Sequence, residues 1–379
     1  MNNGKEIKVM HIAQAAGGVE RYIQMLLKYL DKSKIENILV CSFDYQTDQF
    51  SGLVDKIEQF DMKREIGIND FKAAWKIRKI IKKYNPDIVY AHSSKAGAIV
   101  RIANIGLKSK CIYNPHGWAF NMRGSKIKQL IYAIIEKIMV PFCDRIICIS
   151  DYEKKSAIDM NICNENKIKV IVNGIDIKKY EEKERGILRR EKIGIPEDAF
   201  VIGMVGRISP QKAPDVFIRV AEKIKNVIPN SYFMIVGDGE HRDEIQQYAK
   251  EYGFEDKLLI TGWVDNSMDY VELFDVAMLI SRWEGFGLVL PEYMLSEKPI
   301  IATKVDAIPN IIKDNENGIL VEVDKVEEIF NAVLEICENR ALADKFIKNG
   351  LKDVYNFFDV ERVAMEHQCM FQEMRRINY

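Results

Sequence analysis

Short runs of β-branched and apolar residues alternate with longer segments of helical periodicity along almost the whole chain, and that alternation admits few folds. In the first half the runs at 7–13, 36–43, 87–91, 110–114, 145–149 and 168–172 read as strands. Between them lie amphipathic helices. Residues 19–30 carry an apolar face through Val19, Tyr22, Ile23, Leu26 and Leu27, and residues 71–84 carry one through Trp75, Ile77, Ile80 and Ile81. Strands that are apolar on both faces belong in parallel sheets covered by helices on either side.

The pattern breaks after Asn173-Gly174 into a charged stretch, 178–192, that contains EEKERGILRR, and then resumes. A second series of strands is expected at 200–205, 232–236, 257–260, 276–280, 299–302 and 319–321, with an amphipathic helix over 360–376. A chain of 379 residues is too long for one ordinary core. The expected fold class is therefore α/β, with two Rossmann-like domains at 1–177 and 199–360, a linker at 178–198 and a closing segment at 361–379. In such sheets ligands bind beyond the carboxyl ends of the strands, which places the expected site in a cleft between the domains.

A net charge of -1 conceals an asymmetry: residues 1–179 carry 30 Lys and Arg against 19 Asp and Glu, and residues 180–379 carry 25 against 37. The basic half suggests an anionic partner, whether membrane surface, phosphorylated lipid or nucleic acid, and the acidic half argues against nucleic acid wrapping the molecule. The seven cysteines show no Cys-x-x-Cys spacing and read as reduced core residues. The first residues run straight into a strand pattern without the apolar stretch of a signal peptide. No apolar run approaches the roughly 18–20 residues of a membrane span; even 126–143 is interrupted by Lys128, Glu136 and Lys137. A cytoplasmic protein, peripheral on the inner face of the membrane if attached at all, is expected.

Several loops at strand ends carry chemistry. Gly17 and Gly18, in the first strand-to-helix turn, let backbone N–H groups approach a phosphate or sugar, or serve the turn alone. They lack the Gly-x-Gly-x-x-Gly spacing of a dinucleotide site, which argues against a dehydrogenase. His116-Gly117-Trp118 puts an imidazole at the end of strand 110–114, facing a ligand or satisfied inside the domain; His92 and Lys95 lie beside a similar end. After strand 200–205, Gly206, Arg207 and Lys212 offer two cations where a diphosphate would need neutralising, or two solvated surface charges. The segment Glu284-Gly285-Phe286-Gly287-Leu288-Val289-Leu290-Pro291-Glu292 opens a helix whose free N–H groups and dipole suit an anion. Its carboxylates would repel phosphate and are better read as acceptors for sugar hydroxyls, although Glu292 could also be a capping acid. Gly237-Asp238-Gly239 and Thr261-Gly262-Trp263-Val264 either line a nucleobase pocket or are plain turns.

Taken in order, these residues resemble the retaining glycosyltransferases of family 4, which have the two-domain GT-B fold. The resemblance covers nearly the whole chain: the Gly-Gly-Val-Glu loop, His116-Gly117, Ser150, Asn173-Gly174-Ile175-Asp176, Gly206-Arg207 with Lys212, Gly237-Asp238-Gly239, and the paired glutamates. It implies an N-terminal acceptor-binding domain, a C-terminal nucleotide-sugar domain and a last helix returning to the first. Arg207 and Lys212 would bind the donor diphosphate, Glu292 the ribose and Glu284 the sugar, with His116 and Gly18 meeting them from the opposite domain. His116, Arg207, Lys212 and Glu284 form the implied catalytic group. Gly17, Gly206, Gly237, Asp238, Trp263, Val264, Gly285, Phe286, Gly287 and Leu288 complete the donor site. The nucleotide sugar is a substrate, so no cofactor is expected, and neither is a metal, there being no Asp-x-Asp pair on a suitable loop or ligand-spaced His/Cys cluster.

The implied reaction moves a hexose-type sugar from a nucleotide diphosphate donor, UDP-linked for preference, to a glycan or lipid-diphosphate-linked acceptor in surface or capsular polysaccharide synthesis, with retention. A nucleotide-sugar epimerase or hydrolase, or a non-catalytic nucleotide-sugar-binding subunit, would share the same fold. An anionic membrane surface is a further expected partner, with the basic stretch 123–128 and the helix 129–140 as a docking element or else a core helix. The sequence departs from the family pattern at 303–310, where Asp306, Ala307 and Asn310 replace Gly-Gly and Pro-Glu, and no contact of that loop is carried over.

Overall fold

The structure, a computed structural model, describes residues 5–14, 17–60, 69–122, 124–183 and 186–376, with the side chains of 69, 70 and 376 excepted. Ala15 and Ala16 of the glycine loop, Arg123 of the basic stretch and residues 184–185 of the charged stretch lie outside this set. The chain forms two compact units: residues up to Gly174 together with those from Val360, and Ile175–Asp359.

The first unit holds a parallel sheet of seven strands, β1 (Ile7–Ala13), β2 (Ile35–Cys41), β3 (Lys56–Gln59), β4 (Ile88–His92), β5 (Lys110–Asn114), β6 (Arg145–Cys148) and β7 (Ile168–Val170), in the order β3-β2-β1-β4-β5-β6-β7. The second holds six, β8 (Phe200–Val205), β9 (Ser231–Val236), β10 (Leu258–Ile260), β11 (Val276–Leu279), β12 (Ile300–Thr303) and β13 (Ile319–Val321), in the order β10-β9-β8-β11-β12-β13. Both orders reverse direction beside the first strand, at β1/β4 and at β8/β11. Connections to the two sides of a reversal leave on opposite faces, so a crevice opens between the loops there. The register sets Ala13 opposite His92 in the first unit and Met278 opposite Met204 in the second.

Each unit packs its own core. Met10, Ile12, Val40 and Val89 lie wholly inside the first, and Ile202, Phe217, Phe233 and Ile235 inside the second. The expected strands are all present, within one or two residues at most of their ends. The periodicity gave no sign of β3, whose residues Lys56, Ile57, Glu58 and Gln59 are exposed or half-buried on the sheet edge and carry no apolar run. The charged stretch expected as a linker is instead fixed to the second unit: Tyr180 donates to Glu272 at 3.2 Å, Lys183 pairs with Asp269, and Arg190 reaches Asp275 at 2.8 Å and the Leu273 carbonyl at 2.6 Å. Lys183 and Arg190 of that stretch are thus satisfied on the surface of the second unit. The helix Val360–Arg376 belongs to the first unit, where Gln368 accepts from Asp31 N–H at 3.2 Å and Arg362 donates to the Val172 carbonyl at 2.6 Å.

The helix Lys126–Met139 is inverted. Its inward face presents Glu136, which accepts from Arg101 at 2.8 Å and from Tyr113 Oη at 2.7 Å, with the guanidinium stacked 4.2 Å from the Tyr113 ring. Arg101 also donates to the Gly97 carbonyl at 2.9 Å. Both ions are buried, and a buried pair contributes little net stability when intact but is costly to break from one side. Glu136→Leu is therefore expected to destabilise the protein by about 3–5 kcal/mol, and the double variant Arg101→Leu/Glu136→Leu to regain most of that loss, as read from urea unfolding midpoints.

Candidate functional site

Each unit carries one cluster of candidate side chains at its strand-order reversal. In the first unit β1 contributes His11 and β4 contributes His92, and both rings are fully buried. His11 Nδ1 lies 3.2 Å from His92 Nε2, and His92 Nδ1 lies 3.1 Å from Nε2 of His116, which follows β5. The three rings are stacked in series, with centroids 5.5 and 5.4 Å apart. At the inner end His11 Nε2 meets Asn37 Oδ1 of β2 at 3.3 Å. His116 stands half-buried at the outer end in a left-handed backbone conformation, φ 51°, that is unfavourable for a side chain of this size. Asn114 stabilises the turn by accepting the His116 N–H at 2.9 Å, and its Nδ2 donates to Tyr90 Oη at 3.4 Å. Beneath the turn, Glu153 is buried, and desolvation pushes its carboxyl up to about 8 even though Ile149 N–H donates to it at 2.9 Å.

The last helix supports this cluster. His367 Nδ1 donates to the Val363 carbonyl at 2.7 Å, so its Nε2 is the acceptor that faces the hydroxyls of Tyr90 at 3.0 Å and Tyr22 at 3.2 Å. Burial depresses all four imidazoles: His11 and His116 to about 3, His367 to about 4, and His92 further below its usual range, with repulsion from His116, His11 and His367 adding to desolvation there. At neutral pH the cluster is uncharged. His92, ranked beside Lys95 as a lesser candidate, is thus an integral member. His11 and His367 escaped notice because a lone histidine within an apolar strand or helix pattern gives no local signal.

In the second unit the loops after β8 and β11 meet. Lys212 Nζ lies 2.6 Å from Glu284 Oε2, which also accepts from Ser281 Oγ at 3.2 Å. Both side chains of the pair are largely buried, at 15% and 10% exposure, which limits screening by solvent. The loops are tied together twice: Arg282 N–H donates to the Gln211 carbonyl at 2.8 Å and the Gln211 side chain donates through Nε2 to the Trp283 carbonyl at 3.0 Å. Tyr293, in the helix Val289–Leu295, accepts from Val205 N–H at 2.8 Å and donates to the Met278 carbonyl at 3.3 Å, locking β8 to β11 beneath the pair. Asp306 accepts the Glu284 N–H at 2.8 Å. The loop that departs from the family pattern therefore helps to hold the key carboxylate, a role that its side chains did not advertise.

The remaining candidates fall into three groups. Arg207 is paired with Glu240 at 3.0 Å, but both side chains are about half exposed, so the guanidinium is held loosely. Gly206 and Gly237 run against each other, and Gly237 (φ 145°) allows no Cβ, which would fall 2.1 Å from the Gly206 carbonyl oxygen. Asp238 pairs with Arg242 at 3.2 Å, Trp263 is 71% exposed and Val264 is half-buried, which leaves the indole free for stacking. In the loop after β11, Gly285 and Leu288 are half-buried and Gly287 turns at φ 84°.

Four further features bear on the expected donor site. Phe286 does not present its ring to a ligand: it is 3% exposed and packs on Phe358, so what the residue offers is backbone. Glu292 is wholly buried, 0% exposed, one turn into its helix. That helix has only seven residues, so its dipole is weak and the positive charge of the loop cluster rests on Lys212 and Arg207. Gly18 opens the helix Gly18–Tyr29 and is exposed beside Gly17 (φ 95°), and the Gly17 N–H donates to Glu20 Oε2 at 3.3 Å, which places an acid where a phosphate or sugar was expected and suits the sugar better.

With this geometry in view, the relatives of the chain are informative. Residues 16–179 match the family Glycosyltransferase Family 4, and residues 188–353 match Glycosyl transferases group 1. An Escherichia coli UDP-Gal:alpha-D-GlcNAc-diphosphoundecaprenol alpha-1,3-galactosyltransferase is 29% identical over 97% of both chains. An uncharacterised 41.2 kDa protein from the cps region of Klebsiella pneumoniae is 33% identical over 92% of this chain and 98% of its own. The crystal structure of Anabaena HepE in complex with UDP-glucose superposes with a TM-score of 0.81 over 97% of this chain and all of that one, at 20% identity, and so shares the fold. Two family matches, one on each parallel-sheet unit, and relatives that align from end to end establish that the chain belongs to the family 4 glycosyltransferases of GT-B fold.

Proposed function

We propose that the protein transfers a hexose-type sugar, with retention, from a UDP-sugar to a lipid-diphosphate-linked acceptor in the synthesis of a surface or capsular polysaccharide. The observation that carries the donor half is the Lys212–Glu284 pair at the reversal of the second sheet. A sugar nucleotide brings a diphosphate that competes for the ammonium and hydroxyls that compete for the carboxylate. The pair thus holds the two recognition groups against each other, and the donor exchanges one ion pair for two matched contacts. Arg207, loosely paired and half exposed, is able to swing onto the outer phosphate. His116 serves as a sugar-contacting group, and the exposed Trp263 as a stacking surface for the base.

In the front-face displacement that we infer, the bond from the anomeric carbon to the diphosphate oxygen lengthens. The leaving oxygen takes the proton of the acceptor hydroxyl on the same face, and the hydroxyl oxygen bonds to the anomeric carbon. Lys212 and Arg207 stabilise the negative charge that grows on the leaving group, so no divalent cation is required for that task. The support for a UDP donor and a lipid-linked acceptor is that the E. coli relative is described as acting on such a pair.

The outward face of the helix Lys126–Met139 supports a membrane location. Ile127, Leu130, Ile131, Ile134 and Ile138 recur on one side and are 48–71% exposed, while Lys126, Lys128 and Lys137 flank them. An apolar stripe rimmed by lysines matches the surface of an anionic bilayer, where a lipid-linked acceptor resides. Among the described residues no helix is long and apolar enough to cross a membrane, so the proposed attachment is peripheral.

Two measurements test these readings. In a turnover assay with a panel of nucleotide sugars and a diphosphate-lipid acceptor, Lys212→Ala should lower kcat at least about 100-fold and Arg207→Ala by about 10-fold or more, and EDTA should leave the wild-type rate unchanged. Near-normal rates in both variants would remove the assignment, and sugar release without acceptor would mark a hydrolase. In flotation with liposomes, the wild type should rise with vesicles containing anionic lipid at low salt, and Ile131→Asp/Ile134→Asp should stay at the bottom. Equal recovery of both proteins would remove the membrane face.

A further inference from the structure

A neutral imidazole has one N–H and one bare nitrogen, so rings bonded nitrogen to nitrogen in series must all donate in the same sense. His11, His92 and His116 form such a series, and burial keeps them uncharged at neutral pH. The sense is set at the inner end, by which atom of the Asn37 amide faces His11. At the inner end Asn37 presents Oδ1, an acceptor, to His11 Nε2 at 3.3 Å. His11 must then carry its proton on Nε2, which leaves Nδ1 bare to accept from His92 Nε2–H. That leaves His92 Nδ1 bare in turn, to accept from His116 Nε2–H. The result at the outer end is a His116 whose Nδ1 holds a lone pair.

We propose that Asn37, His11 and His92 are positioning residues that fix His116 as its Nε2-protonated tautomer, so that Nδ1 accepts a hydroxyl proton of the sugar substrate. This rests on the reading of His116 as a substrate-contacting residue. The direction of the relay is separate from that reading, being a property of the fold alone. It also explains why an asparagine lies wholly buried in β2, behind two histidines and remote in sequence from every glycine-rich loop. The backbone of His116 is restrained independently: Asn114 holds its N–H, and Asn114 is in turn bonded to Tyr90, whose hydroxyl donates to His367 of the last helix. One network thus sets the ring's proton and the other sets its place.

The chain contains five histidines, which makes a direct reading practical. Long-range proton–nitrogen correlation spectra of the full chain labelled with 15N-histidine, with His116 assigned through His116→Asn, should show His116 protonated on Nε2 and bare on Nδ1 at neutral pH. A wild-type His116 protonated on Nδ1 would overturn the proposal, because it would mean that the Asn37 amide is reversed and the relay runs outward. Asn37→Leu removes the terminus, so the His116 signals should move toward a mixture of tautomers, and kcat/KM should fall roughly 5- to 10-fold, the worth of one matched hydrogen bond. An unchanged tautomer and unchanged kcat/KM in Asn37→Leu would overturn it equally. Full turnover by His116→Ala would overturn the substrate contact on which the proposal rests, and the tautomer spectrum tells that failure from a failure of the relay.

Discussion

Where the strand order of a parallel sheet reverses, the loops after two neighbouring strands depart to opposite faces and leave a gap at their carboxyl ends, and the two polar clusters of this protein are arranged around two such gaps. At β1/β4 the gap receives the outer end of a histidine series that begins inside the sheet. At β8/β11 it receives Lys212 and Glu284, brought to 2.6 Å by loops that share backbone hydrogen bonds. The sheet core makes this placement rigid: Tyr293 bridges β8 and β11 from below, so the pair sits on a fixed floor.

Much of the architecture was legible because the signal behind it is long. Buried parallel strands are continuous apolar runs, and a run such as Phe200–Val205 leaves no other reading. β3 was not legible, since an edge strand exposes its polar residues and resembles a loop. The charged stretch after Gly174 misled for a related reason: sequence shows charge but not whether the charge has a partner, and Tyr180, Lys183 and Arg190 all find theirs on the second unit.

The sites divide in the same way. Strand-end glycines and cations announce themselves by position, which is why Lys212 and Glu284 stand out as candidates in the sequence, although their ion pair does not. Phe286 and Glu292 lie in the same motif, yet the fold turns their side chains inward, and a motif read along the chain does not distinguish side chain from backbone. His11, Asn37, His367 and Asp306 are the converse case. Their contacts reach across 22 to 345 residues of chain, which no local pattern encodes. The inverted helix Lys126–Met139 belongs here too, because an amphipathic pattern does not say which face is outside. The buried Arg101–Glu136 pair marks the inner face, with Ala133 and Met139 beside Glu136, and leaves the isoleucine stripe outside.

The central claim is that the Lys212–Glu284 ion pair is a resting arrangement that the donor replaces, with the ammonium going to the diphosphate and the carboxylate to the sugar. Calorimetric titration of UDP, which has the diphosphate but no transferred sugar, tests this most directly in the variant Glu284→Gln. Freed from its carboxylate, Lys212 should bind UDP more tightly than in the wild type, by roughly 5- to 10-fold, even though sugar transfer is lost. Weaker binding of UDP by Glu284→Gln than by the wild type would contradict the account.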